Sequence, residues 1–165
     1  MELIKENKEK KRAVYKLADR YRKVWYVNPD SAPFAETLAE HLELLDQFVP
    51  GYVLDYGYTT ESIYVDYKMI PGTLASKFPH TEDFIKKIYN FCLDNINKTS
   101  PYAHGDWVLS NMLIDGDNIT LIDWDNLGIY DAKDVLEKLN TDLRSSFGPK
   151  FDEVIQGKDN DSTSI

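Results

Sequence analysis

His104-Gly105-Asp106-Trp107-Val108-Leu109-Ser110-Asn111 and, a short distance on, Ile122-Asp123-Trp124-Asp125 are the stretch on which the reading of this chain turns. A carboxylate, an amide and a second carboxylate stand at fixed spacing, each beside a run able to form a strand. Between them, Met112-Leu113-Ile114 and Ile119-Thr120-Leu121-Ile122 flank Asp115-Gly116-Asp117-Asn118. Asp and Gly tolerate the positive φ of a tight turn, so the two runs are expected to pair as an antiparallel hairpin. The turn chemistry alone accounts for Asp115, Asp117 and Asn118.

That hairpin would return Asp123 toward Asn111 at its open end, while the short preceding loop keeps Asp106 close. An amide oxygen and a carboxylate are hard ligands, suited to magnesium and unsuited to zinc. Asp106 is then left to orient a hydroxyl and accept its proton. Phosphoryl transfer asks for little beyond positioning, charge neutralisation and a base. A metal-dependent hydrolase built on His104 fits less well, because His41 and His80 show no metal-ligand spacing with it.

Outward from this stretch, the pattern is α+β. Ala13–Leu17 and Tyr21–Val27 read as strands rich in aromatic and β-branched residues, preceded by a charged, frayed segment over 1–11. Phe34, Leu38, Leu42 and Leu45 recur at helical spacing and predict a helix from about Pro33 to Phe48, stopped by Pro50-Gly51. Tyr52–Gly57 and Ser62–Tyr67 predict a hairpin. Thr81 is placed to cap a helix running to about Asn95, with Ile85, Ile88, Tyr89, Cys92 and Ile96 on one face. A last helix is expected over Ala132–Ser146, with Val135, Leu136, Leu139 and Leu143 facing inward. The expected organisation is a reduced N-terminal lobe over 1–69, a C-terminal lobe over 70–156 and a disordered polar tail over 157–165.

The chain has 165 residues, a formal net charge of −9 and 42% apolar residues, enough for a sizeable core. Such a charge argues against tracking nucleic acid, and the basic cluster Lys5, Lys8, Lys10, Lys11, Arg12 is interleaved with Glu6 and Glu9. No apolar run approaches the roughly 20 residues that cross a bilayer. One cysteine, Cys92, forms no internal disulfide, which agrees with a reducing compartment. The expectations are therefore no membrane, no nucleic acid and a cytoplasmic location.

HGDWVLSN resembles the HGDxxxxN motif of the aminoglycoside phosphotransferase and choline kinase families, small-molecule relatives of the protein kinase fold. LIDWDNLGIYDAKDV resembles the segment that follows it, and the likeness extends over most of the chain. The resemblance implies a minimal two-lobed protein kinase-like fold, with a small antiparallel sheet and one helix in the first lobe and a mainly helical second lobe with a catalytic hairpin. It implies Asp106 as catalytic base, Asn111 and Asp123 as metal ligands, and Trp124 where an aromatic residue is usual. His104 would shape the loop, and Asp134 would steady it from the first turn of the next helix. On the same footing Lys23 is expected to contact nucleotide phosphates, with Lys16 as rival. Glu40 is the favoured acidic partner over Glu36, and backbone groups of Lys68, Met69 and Ile70 would meet adenine. The implied activity is transfer of the terminal phosphate of ATP or GTP, with Mg2+, to a hydroxyl of a small molecule.

The chain also departs from that pattern. Two strands are expected before the first helix where the family has three, and no glycine occurs between Met1 and Gly51 to form a Gly-rich lid. The region that selects the acceptor is nearly absent. These departures support a second expectation, a catalytically weak or inactive kinase-like module that binds a nucleotide or a protein partner. A homodimer completing the site and a phage-like streamlined origin are further expectations of the same kind; Tyr56, Tyr58, Tyr64, Trp107 and Tyr130 could form such a seam, but most of these rings are expected in the core.

Overall fold

The computed structural model describes residues 1–26 and 32–157, with side chains omitted over 32–36. The chain divides into two compact units, Met1–Met69 and Ile70–Ile165.

The first unit is one five-stranded antiparallel sheet and one helix. Its strands are β1 (Glu2–Asn7), β2 (Arg12–Lys16), β3 (Arg20–Trp25), β4 (Val53–Tyr58) and β5 (Ile63–Lys68), in spatial order β1-β2-β3-β5-β4. Helix α1 (Ala32–Phe48) lies between β3 and β4 in sequence. Leu38 and Leu42 of α1 pack on Ile63 and Val65 of β5, with Trp25, Val53 and Tyr67 around them. Each such apolar side chain contributes about 1.5–3 kcal/mol by leaving water. This stripe is what the helical spacing predicts.

Two expectations are corrected here. The segment expected to be frayed forms β1, so three strands precede α1. β1 pairs with β2 from Glu2↔Lys16 to Asn7↔Arg12, with an irregularity between Leu3 and Lys5. Its side chains are exposed except for Asn7, so no apolar alternation marks it in the sequence. The ladder to β2 holds it, helped by the opposed Glu2 and Lys16. The β1–β2 turn closes without glycine. Lys11 takes a φ of 50°, and the Lys10 amide donates to Asn7 Oδ1 at 3.0 Å. The second correction concerns the rings expected to be mostly core. Trp107 is buried, but Tyr56 and Tyr58 on the edge strand β4 are nearly half exposed.

Asp66 on β5 is buried, and two arginines of β3 reach it. Arg22 binds both carboxylate oxygens, at 2.7 and 2.9 Å, and Arg20 adds a contact at 3.4 Å. The Arg22 guanidinium also lies 4.2 Å from the Tyr64 ring centre. A buried carboxylate is tolerated when paired and hydrogen-bonded in this way.

In the second unit, α2 (Glu82–Thr99) starts where Thr81 Oγ1 accepts the Phe84 amide at 3.2 Å. It runs four residues past the expected end, and Ile85, Ile88 and Cys92 are buried on its apolar face. Helix α3 (Ala132–Phe147), capped by Asp131, is followed by a short α4 (Lys150–Ile155). Three short strands that the sequence did not announce accompany the hairpin. β6 (Thr73–Leu74) joins β8 (Met112–Asp115) and β9 (Asn118–Leu121), while β7 (Tyr102–Ala103) pairs with β10 (Gly128–Ile129). The β8–β9 hairpin has the register Met112↔Leu121 to Asp115↔Asn118, with Gly116-Asp117 as its two-residue turn. The expected tail lies outside the described residues from 158 onward.

Candidate active site

Residues 104–111 run between β7 and β8 and are mostly buried, although they form no long element. His104 is fully buried and joins both sides of the site. Its Nδ1 accepts the Asp106 amide at 3.2 Å, so the proton sits on Nε2, which donates to the Ile122 carbonyl at 2.8 Å. One imidazole therefore ties Asp106 to the residue before Asp123. Burial pushes the His104 pKa down, opposed by the bond to Ile122 and by Asp106, Asp123 and Asp125. A neutral ring is the form that both bonds require. It packs edge-on against Trp124 at 4.6 Å and tilted against Trp107 at 5.6 Å.

Gly105 follows with a φ of 85°. A Cβ there would fall 2.7 Å from the Asn126 carbonyl oxygen and would also collide with the Tyr130 hydroxyl, which itself donates to Asn126 O at 2.5 Å. Glycine is required for the conformation and for the space.

Asn111 is buried, and its Nδ2 donates to Asp106 Oδ2 at 2.9 Å and to the Asp106 carbonyl at 3.2 Å. The amide nitrogen is thus engaged, and the oxygen Oδ1 remains as a hard donor. The Ile122 amide donates to the Asn111 carbonyl at 2.8 Å, extending the β8–β9 ladder by one rung. This sets Asn111 beside the residue that precedes Asp123. Asp123 is half-buried and takes a φ of 58°, an uncommon conformation for a residue with a Cβ. Among the described residues no cluster of three or more His, Cys, Asp or Glu side chains forms a self-sufficient metal cage. An amide oxygen and a carboxylate fit magnesium, which keeps waters and takes phosphate oxygens for the rest of its shell.

The group that steadies the loop is not the one expected. Asp134 is exposed in the first turn of α3, and it is Asp142, two turns further along, that accepts the Trp107 amide through Oδ2 at 2.9 Å. Ser146, one turn beyond, receives the Leu109 amide at 3.4 Å. Asp142 is buried in line with Val135, Leu139, Leu143 and Phe147. A carboxylate inside an apolar helical stripe is the signal that reading the sequence missed.

In the first unit, Lys23 is buried, whereas its rival Lys16 is exposed. Lys23 stands opposite Val14 and Val65, on the side of the sheet that meets α1, and its Nζ is 5.3 Å from the Trp25 ring centre. Glu40 is exposed, about 200° around α1 from Leu38 at about 100° per residue, so it points away from the packed stripe. The preference for Glu40 is corrected accordingly, and the side chain of Glu36 lies outside the described residues. The Lys68 amide donates to Tyr52 O at 2.8 Å inside the sheet. That donor is spent, which leaves the adenine expectation to the Lys68 carbonyl and to Met69 and Ile70.

A family model described as the phosphotransferase enzyme family matches residues 4–153. The chain belongs to this family. Solved structures with the same kinase-like α+β fold include WbdD, at a TM-score of 0.61 and 16% identity, where 86% of this phosphotransferase-family chain aligns with 36% of that one. A WbdD structure described as a bifunctional kinase-methyltransferase aligns at a TM-score of 0.57 and 17% identity, over 82% of this chain and 34% of that one. An aminoglycoside phosphotransferase from Streptomyces rimosus aligns at a TM-score of 0.62 and 15% identity, over 96% of this chain and 83% of that one. The chain thus spans little more than a third of WbdD and most of the aminoglycoside enzyme. A comparison with curated proteins gives no match. No helix among the described residues is long and apolar enough to cross a membrane.

Proposed function

We propose that this chain transfers the terminal phosphate of ATP or GTP to a hydroxyl of a small molecule, with Mg2+. The observation that carries the proposal is the Asp106–Asn111 contact at 2.9 Å, with Ile122, the residue before Asp123, tied to the same loop by His104 and by the Asn111–Ile122 rung. Asp106 is assigned as the base. Its Oδ2 is held by Asn111, and its other oxygen is the one to accept the acceptor's hydroxyl proton. Asn111 Oδ1 and Asp123 are assigned to magnesium, which when bound neutralises phosphate charge. Lys23 is assigned to the nucleotide phosphates, and the Lys68 carbonyl with the backbone of Met69 and Ile70 to adenine. The family membership supports the reaction class, and β1 removes one of the three departures that favoured an inactive module.

The test is Asp106→Asn, assayed as phosphate release and product formation from magnesium-ATP and magnesium-GTP against a panel of metabolites. Turnover should fall by about 10²–10⁴-fold, the usual worth of a positioned base, with circular dichroism and nucleotide affinity unchanged. Full activity in the variant refutes Asp106 as base. A silent wild-type chain that binds another protein tightly favours the non-catalytic module.

A further inference from the structure

Lys138 lies one helical turn before Asp142 on α3, and its Nζ is 2.6 Å from Asp142 Oδ1. The other oxygen of the same carboxylate accepts the Trp107 amide at 2.9 Å. We propose that Lys138 is a positioning residue that holds Asp106 in register through Asp142 and the Trp107 N–H. An exposed pair at this spacing stabilises a helix only slightly, and less so with the cation on the N-terminal side. Here the carboxylate is 7% exposed and the lysine 47%, so the pair serves a different purpose. The ammonium and the Trp107 N–H each take one oxygen of this buried carboxylate, and a hydrogen bond to a paired carboxylate is stronger than one between neutral groups. Trp107 directly follows Asp106, and its ring is fully buried. Fixing its N–H therefore fixes the backbone on one side of Asp106, as the His104–Asp106 bond does on the other. The bond to Asp142 raises the Lys138 pKa, and Asp106 and Tyr130 add to that field, which places the ammonium within electrostatic reach of Asp106.

The kinetic half of this inference rests on the phosphotransferase reading, while the structural half rests on geometry alone. The experiment reads both, in the full chain. Lys138→Met keeps the stem and removes the charge, and Lys138→Arg restores it. Amide hydrogen exchange at Trp107 is compared with exchange in the core of α2, and kcat and KM for magnesium-ATP are measured alongside. Lys138→Met should speed Trp107 exchange about tenfold, leave α2 exchange unchanged and lower kcat about tenfold at constant KM, as expected for weakening one charge-assisted bond. Lys138→Arg should recover both. In an Asp142→Asn background, Lys138→Met should add nothing to Trp107 exchange. Unchanged Trp107 exchange in Lys138→Met overturns the inference whatever the turnover, as does a loss confined to KM. Faster Trp107 exchange in a chain whose wild type shows no turnover supports the positioning role and counts against the phosphotransferase reading instead.

Discussion

Replacing Gly105 by alanine should be among the most damaging single-methyl changes in this protein. The residue has a φ of 85°, where an L-residue with a Cβ costs about 1–2 kcal/mol more than glycine. The added methyl would also sit 2.7 Å from the Asn126 carbonyl oxygen, and forcing an atom into filled space costs about 1–3 kcal/mol. Together these give about 2–5 kcal/mol. For a chain of this size each kcal/mol lowers Tm by about 2–4 °C, so thermal unfolding should shift down by roughly 4–20 °C. Gly51→Ala is the control. Gly51 has a φ of 78°, but nothing lies within 4 Å of its would-be Cβ, so it should show the backbone part alone. The difference between the two variants isolates the contact with Asn126 and Tyr130. Any relief of the clash moves the backbone between His104 and Asp106. Misplacement of a reacting group by about 1 Å costs on the order of 10²-fold in rate, so turnover should fall further than stability implies. Circular dichroism melting and phosphate release measure the two effects. Gly105→Ala with a Tm within about 1 °C of Gly51→Ala and undiminished turnover would refute this account of the loop.

Two further perturbations follow from the same geometry. His104 has its pKa lowered by burial, so the unfolded chain binds its proton more readily than the folded one. Its contribution to stability is fully present above the ordinary histidine value near 6.5 and is lost as pH falls below it. Urea midpoints at pH 7.5 and 5.5 should therefore drop more steeply in the wild type than in His104→Gln, and equal slopes would contradict the assignment. Arg22 holds both oxygens of buried Asp66 while Arg20 holds one at 3.4 Å. Arg22→Ala should cost about 2–3 kcal/mol, below the full penalty for orphaning a buried charge because Arg20 remains and Arg22 is itself partly solvated. Arg20→Ala should cost under about 1 kcal/mol; equal losses in chemical denaturation would show that the pairing is read wrongly.

What was legible in the sequence was local. The Gly116 turn and the apolar runs around it specify the hairpin because strand pairing across two residues leaves one register. The stripes Leu38-Leu42-Leu45 and Val135-Leu139-Leu143 specify helices because only a 3.6-residue period puts those side chains on one face. The spacing from His104 to Asp123 carried the site for the same reason, since its members lie within one loop and one hairpin. β1 was missed because its exposed strand carries no alternation. Its pairing with β2 supplies backbone bonds that no side-chain pattern records.

The sequence by itself determined which short elements form and which carboxylates and amide belong to the loop, since both follow from neighbours a few residues apart. Tertiary structure alone decided that Asp142 rather than Asp134 holds that loop, across 35 residues of intervening chain. It also decided that Lys23 is buried while Lys16 and Glu40 face water. A carboxylate on a helix has no preferred partner until packing sets which turn of the helix lies against an unpaired amide. Burial, which gives such a charge its strength as a hydrogen-bond acceptor, exists only once the second unit has folded around it.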